Sequence, residues 1–154
     1  MTSILIVEDD DNKRAKIDEF VRELKSGCEV SHSRSYSSGV DRAIREGPDL
    51  LLLDMQMPTF DKSEKEDGGP LRHFAGIHLL RRLRKHGIST RVIVVTGFES
   101  FGEGEEKVSL EGLEHRLRDE FPEIFLGIVH LRASESRWQI ELKELLLKFY
   151  GEKC

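Results

Sequence analysis

Long hydrophobic runs are missing from this sequence, as are a cysteine framework and any excess of positive charge. The longest apolar runs, at residues 4–7, 50–53 and 92–95, have the length of β-strands and fall far short of a bilayer span. The two cysteines, Cys28 and Cys154, do not make a disulfide scaffold, so a reduced, cytoplasmic setting is expected. A strand-like run begins at Ile4, and no leader with a charged start, an apolar middle and a cleavage site precedes it, so a secretory signal is not expected. The formal net charge of −5 provides no global field for nucleic acid. Neither a repeat nor a linker tract divides the chain. With 154 residues, 38% of them hydrophobic, it is expected to form one domain over residues 1–154 with no output domain.

Positive charge does gather once, at Arg81, Arg82, Arg84, Lys85 and His86, on a predicted helix whose apolar face is Ile77, Leu80 and Leu83. Cations near a helix C-terminus complement the macrodipole, so a solvated face is expected there rather than a docking surface.

The rest of the chain alternates short apolar runs with helical spacing. Strands are predicted at residues 4–7, 28–31, 50–53, 92–95 and 125–129. A helix at 12–25 carries Ile17, Phe20, Val21 and Leu24 on one face, with Asp10 or Asp11 as its N-cap. Val40, Ala43 and Ile44 mark a second helix, stopped by Gly47-Pro48, and residues 75–86 form a third, closed by Gly87. Leu110, Leu113, Leu117 and Phe121 mark a fourth; Trp138, Leu142, Leu145, Leu146 and Phe149 stripe a fifth. Five βα units in series predict a parallel sheet covered on both faces, an α/β doubly wound fold. Ligands of such folds bind beyond the carboxyl ends of the strands.

Those ends are acidic. Glu8, Asp9, Asp10 and Asp11 follow the first strand, Asp54 follows the third and Thr96 the fourth. Carboxylates brought together on one sheet edge repel unless protons or a cation neutralise them. Oxygen ligands without His or Cys suit Mg²⁺, which leaves a place for a phosphate oxygen. A carboxylate is also a nucleophile toward phosphorus.

Four segments carry a family resemblance. Ile4-Leu5-Ile6-Val7-Glu8-Asp9-Asp10 resembles the opening strand of response-regulator receiver domains. Leu50-Leu51-Leu52-Leu53-Asp54-Met55-Gln56-Met57-Pro58 resembles their phosphoacceptor segment, and Val92-Ile93-Val94-Val95-Thr96-Gly97 their switch strand. Gly76-Ile77-His78-Leu79-Leu80-Arg81-Arg82-Leu83-Arg84 is similar to the family's third helix. The resemblance implies a flavodoxin-like strand order 2-1-3-4-5. It also implies Asp54 as phosphoacceptor, Glu8 and Asp9 as the Mg²⁺-holding pair with Asp10 as competitor, the Gln56 carbonyl as a further metal ligand, and Thr96 as switch hydroxyl. The implied role is signalling rather than enzymatic. A histidine kinase or phosphotransfer protein supplies the phosphoryl group, and output passes through contacts with a downstream protein. No membrane partner is implied. A homodimer face on the last helix, with Trp138 and Tyr150, is the alternative to a core stripe.

The sequence departs from the family at the fifth strand. His130 stands where receivers carry a Lys, the following Pro is missing, and Gly127 occupies the place of the switch aromatic, with Phe125 out of register. His130 is either a phosphate partner or a structural residue. Of two charged insertions, residues 59–74 are either a mobile excursion, which is the expectation, or a partner or lid element, and residues 97–107 are expected to be a flexible acidic loop. Two other functions compete. A pseudo-receiver signals without phosphate. A haloacid-dehalogenase-like phosphatase needs an Asp-x-Asp opening that Asp9-Asp10-Asp11-Asn12 lacks, and its second acidic group after rather than before the Thr.

Overall fold

The computed structural model describes residues 1–131 and 136–152, so Cys154 lies outside the described residues. Strands β1 (Ser3–Val7), β2 (Glu29–Ser33) and β3 (Leu50–Leu53) alternate with helices α1 (Asp11–Leu24), α2 (Tyr36–Glu46) and α3 (Ala75–Lys85). Two-residue strands β4 (Met57–Pro58) and β5 (Leu71–Arg72) lie between β3 and α3. Strand β6 (Arg91–Thr96) is followed by β7 (Ser100–Phe101), β8 (Val108–Ser109) and α4 (Leu110–Glu120), then by β9 (Phe125–His130) and α5 (Arg137–Glu152). The main sheet has the order β2-β1-β3-β6-β9 with every pairing parallel. Numbering its strands one to five along the chain, this is the expected 2-1-3-4-5 doubly wound architecture.

Alternation along the central strands explains the two covered faces. Leu5, Val7, Leu51, Leu53, Val92 and Val94 pack on the side of α2, α3 and α4. Ile4, Ile6, Leu50, Leu52, Ile93 and Val95 pack on the other, with α1 and α5. Both faces are dry, so these strands contain no polar residue at alternate positions. Trp138, Leu142, Leu146 and Phe149 of α5 are buried, which makes its stripe core. Cys28 is a free thiol whose sulfur lies 3.3 Å from the Tyr150 hydroxyl. Among the described residues no helix is long and apolar enough to cross a membrane.

The gap left at Gly127 has a packing reason. A Cβ there would lie 3.0 Å from both terminal methyls of Leu145, so α5 already fills the space a larger side chain needs.

Both insertions are structured, contrary to the expectation of mobile loops. In the first, β4 and β5 pair antiparallel, and Thr59 N–H donates to the Pro70 carbonyl at 3.0 Å. This hairpin is docked on the start of α2. Ser35 and Ser38 hydroxyls both donate to Asp61 Oδ1 at 2.7 Å, Ser37 N–H donates to the Thr59 carbonyl, and the Arg72 guanidinium lies 4.0 Å over the Tyr36 ring. In the second, β7 and β8 pair antiparallel around a 3₁₀ turn at Gly104–Glu106, and Phe101 is fully buried. Gly102 has φ of 82°, and a Cβ there would lie 2.9 Å from the Glu106 carbonyl, so the turn needs glycine.

The basic cluster is not wholly solvated either. Arg81 grips Glu120 of α4 bidentately at 2.6 and 2.7 Å, and Arg84 reaches the same carboxylate at 3.2 Å. The Arg81 hydrogen bond holds the Glu120 carboxyl below its ordinary value. A depressed carboxyl stabilises the fold above its unfolded pKa, and that contribution is lost as pH falls through the folded value. The Arg81 and Arg84 side chains are half exposed, so solvent screening leaves a small effect. Glu120→Gln is expected to lower the unfolding free energy by about 0.5 kcal/mol at pH 7 and to change nothing at pH 3, as read by urea melts.

Candidate functional site

The pairing of β1 with β3 places Val7 beside Leu53, so the residues that follow, Glu8 and Asp54, leave the sheet side by side. Asp54 N–H donates to the Val7 carbonyl at 3.1 Å and fixes that register. Both residues are buried, at 2% and 3% exposure. Asp9 is half-buried beside them. One carboxylate oxygen from each of Glu8, Asp9 and Asp54 falls within 4.8 Å of the others, a spacing that suits a shared cation. These are hard oxygen donors with no His or Cys among them, so the set fits Mg²⁺ better than zinc or copper.

Asp10 is directed elsewhere. Its Oδ1 accepts the Lys13 N–H at 2.9 Å and caps α1, which settles the choice between Asp10 and Asp11 as N-cap. Gln56 is half-buried, and its side-chain oxygen lies 3.1 Å from His73 Nδ1. Thr96 is fully buried at the end of β6; its hydroxyl oxygen accepts the Phe98 N–H at 3.2 Å. His130 stands opposite Thr96 in the β6–β9 register, so it shares the acidic edge.

Gly76, in the first turn of α3, brings that helix against the residues that follow β3. Its N–H donates to the Met55 carbonyl at 3.1 Å, and a Cβ there would lie 3.0 Å from the Asp54 carbonyl. Met55 N–H donates to Asp54 Oδ1 at 2.7 Å. One Asp54 oxygen is thereby held by the backbone, and Oδ2 faces the cluster.

A lysine that sequence reasoning missed completes the site. Lys13 Nζ contacts Asp54 Oδ2 at 3.0 Å and pairs with Glu8 Oε1. Its side chain is 11% exposed. Burial opposes the ammonium charge, but Asp54 and Glu8 more than offset this and raise its pKa. Glu8 is pushed up to about 8, first by burial and then by the Asp54 charge, with Lys13 restraining the rise. One sequence signal pointed to Lys13. A cation in the first turn of a helix opposes the macrodipole, and such a residue is tolerated best where an anion awaits it.

Comparison with known proteins agrees with this geometry. The family model "Response regulator receiver domain" matches residues 4–112. The uncharacterized protein y4jR of Sinorhizobium fredii is 31% identical over 144 residues, covering 93% of this chain and 95% of that protein. The Detocs response regulatory protein DtcB of Enterobacter cloacae is 27% identical over 142 residues, covering 90% and 94%. Among solved structures, the receiver domain of a sensor histidine kinase from Pseudomonas aeruginosa, with a magnesium ion coordinated in its active-site cleft, aligns with a TM-score of 0.60. It is 21% identical and covers 97% of this chain and 98% of that one. With its β2-β1-β3-β6-β9 sheet, its acidic strand ends and this match, the chain belongs to the response-regulator receiver domain family of two-component signalling.

Proposed function

We propose that this chain accepts a phosphoryl group on Asp54 and signals through protein contacts that the modified form favours. The observation that carries the reading is the buried Asp54 at the end of β3, with Glu8 and Asp9 oxygens gathered around it. Asp54 Oδ2 attacks phosphorus of a phosphohistidine on a kinase or phosphotransfer protein. The O–P bond forms, the P–N bond breaks, and the electron pair leaves on the imidazole nitrogen. Glu8, Asp9, Asp54 and the Gln56 carbonyl would hold Mg²⁺, which would offset charge on the transferring group. The new group adds a charge of about −2 and three acceptor oxygens at the edge where Thr96 and His130 end their strands. The Thr96 hydroxyl is the donor best placed by topology to follow it, and β6 with α4 is the element it biases.

A phosphorylation-independent pseudo-receiver is the second reading. One observation favours it: the carboxylate pair already has an internal counter-ion in Lys13.

The two separate on intact mass after incubation with Mg²⁺ and phosphoramidate, for wild type and Asp54→Asn. One added phosphoryl group on wild type alone is the expected result. Equal labelling of both proteins points to a different acceptor. No label on wild type, together with an undiminished partner response in Asp54→Asn, overturns the phosphoacceptor reading in favour of the pseudo-receiver.

A further inference from the structure

The lysine absent from the end of β9 has a counterpart on another element. We propose that Lys13, delivered from the first turn of α1, is the cation that pairs with the phosphoryl group in this chain. The inference rests on the phosphoacceptor reading of Asp54 and assigns the charge partner that reading otherwise lacks.

Three features support it. First, the Nζ already touches the oxygen that would become the bridging or attacking atom, Asp54 Oδ2, at 3.0 Å. Second, Lys13 is held in place. Asp10 caps its backbone N–H at 2.9 Å, and Arg14 beside it donates to the Glu8 carbonyl at 3.0 Å, so the start of α1 is fastened to the acidic strand end. Third, the alternative position is differently furnished. A histidine, His130, stands there and faces Thr96 across the β6–β9 ladder.

The charge balance gives the ammonium a reason to stay after transfer. Phosphorylation removes the Asp54 carboxylate charge and replaces it with a phosphoryl group of about −2. The Lys13 ammonium then finds more negative charge in the same place and needs only its terminal torsions to follow the phosphoryl oxygens. Before transfer it pairs with two of the carboxylates that could hold a metal, at Glu8 Oε1 and Asp54 Oδ2. Lys13 therefore opposes metal binding in the resting state and supports phosphoryl transfer in the next. A purely structural lysine would do only the first.

That pair of opposite effects is the test. The full chain is incubated with phosphoramidate and Mg²⁺ as wild type, Lys13→Met, and Lys13→Met combined with His130→Lys. Asp54 Oδ2 forms the O–P bond, the P–N bond breaks, and nitrogen departs as ammonia with a proton from solvent. Intact mass over time gives the rate, and Mg²⁺ titration by calorimetry gives the affinity. Lys13→Met is expected to slow labelling by about 100-fold, the size of losing one charge-stabilising donor. The same substitution is expected to tighten Mg²⁺ about tenfold, since a like charge has left the site. His130→Lys in that background, which puts a lysine back at the usual receiver position, is expected to recover labelling by at least about tenfold. Labelling of Lys13→Met at the wild-type rate overturns the inference and leaves Asp54 as acceptor. Slowed labelling with weakened Mg²⁺ and no recovery marks Lys13 as a folding residue and also overturns it. A wild type that takes no label, yet binds Mg²⁺, overturns the phosphoacceptor reading and the Lys13 inference together.

Discussion

In EDTA at pH 9, Lys13→Met is expected to lower the unfolding free energy by about 3 kcal/mol, with a much smaller loss at pH 5 and most of the loss recovered by Mg²⁺. The three side chains involved are nearly inaccessible, at 11%, 3% and 2% exposure. Removing one member of such a group leaves the others buried without compensation, and this costs more than the intact pair contributes. The pH dependence follows from Glu8. Its pKa is raised from the ordinary 4.5 to about 8, by burial and then by Asp54. A group with a raised folded-state pKa contributes stability that is fully present below its unfolded pKa and is lost as pH rises through the folded value. Wild type in EDTA is therefore expected to lose stability between about pH 5 and pH 8. Without the ammonium, Glu8 holds its proton to still higher pH, and the loss extends upward. Urea melts at four pH values, with and without Mg²⁺, give the answer. A pH-independent difference between wild type and variant would show that the ammonium is not balancing these carboxylates.

Phe101→Ala is expected to cost about 4 kcal/mol, the ordinary penalty for emptying a phenylalanine site in a packed core. Phe101 is fully buried on β7 and meets Phe98 edge-to-face at 6.2 Å between ring centroids. The residues around it, from Ser100 to the glutamates of the 3₁₀ turn, read in sequence as an exposed acidic loop. A truly loose loop would lose under about 0.5 kcal/mol on this substitution. Chemical denaturation thus separates an anchored hairpin from a mobile one, with midpoint and slope read together.

Much of the molecule was legible before any coordinate. Uninterrupted apolar runs at Leu50–Leu53 and within Arg91–Thr96 are what strands covered on both faces require, and the order of βα units did the rest. Glu8, Asp9 and Asp54 were legible because a parallel sheet brings the ends of its strands to one edge. The two hairpins were not legible, since two-residue ladders are too short to show a period of two. Asp10 was ambiguous because a carboxylate after a strand serves a metal or a helix end equally well by type; its 2.9 Å contact with Lys13 N–H makes it the cap of α1. Lys13 escaped attention because its helix face, not its spacing, carries it over the acidic edge. The role of Arg81 depended on Glu120, thirty-nine residues away, and no local pattern encodes such a partner.

The β4–β5 hairpin has a consequence for how far this fold can be lengthened. Because Met57–Pro58 and Leu71–Arg72 meet at the base, the chain re-enters the body close to where it left. Closure entropy grows only logarithmically with the length of what lies between, about 0.6 kcal/mol per doubling. The tip at residues 62–67 is exposed throughout, while the base is anchored on α2 through Asp61. Foreign sequence spliced at the tip would extend a stalk that begins beside the acidic edge, leaving the parallel ladder and its register untouched. The fold thus carries a permissive graft point at its most functional border, where a receiver can acquire new recognition without being rebuilt.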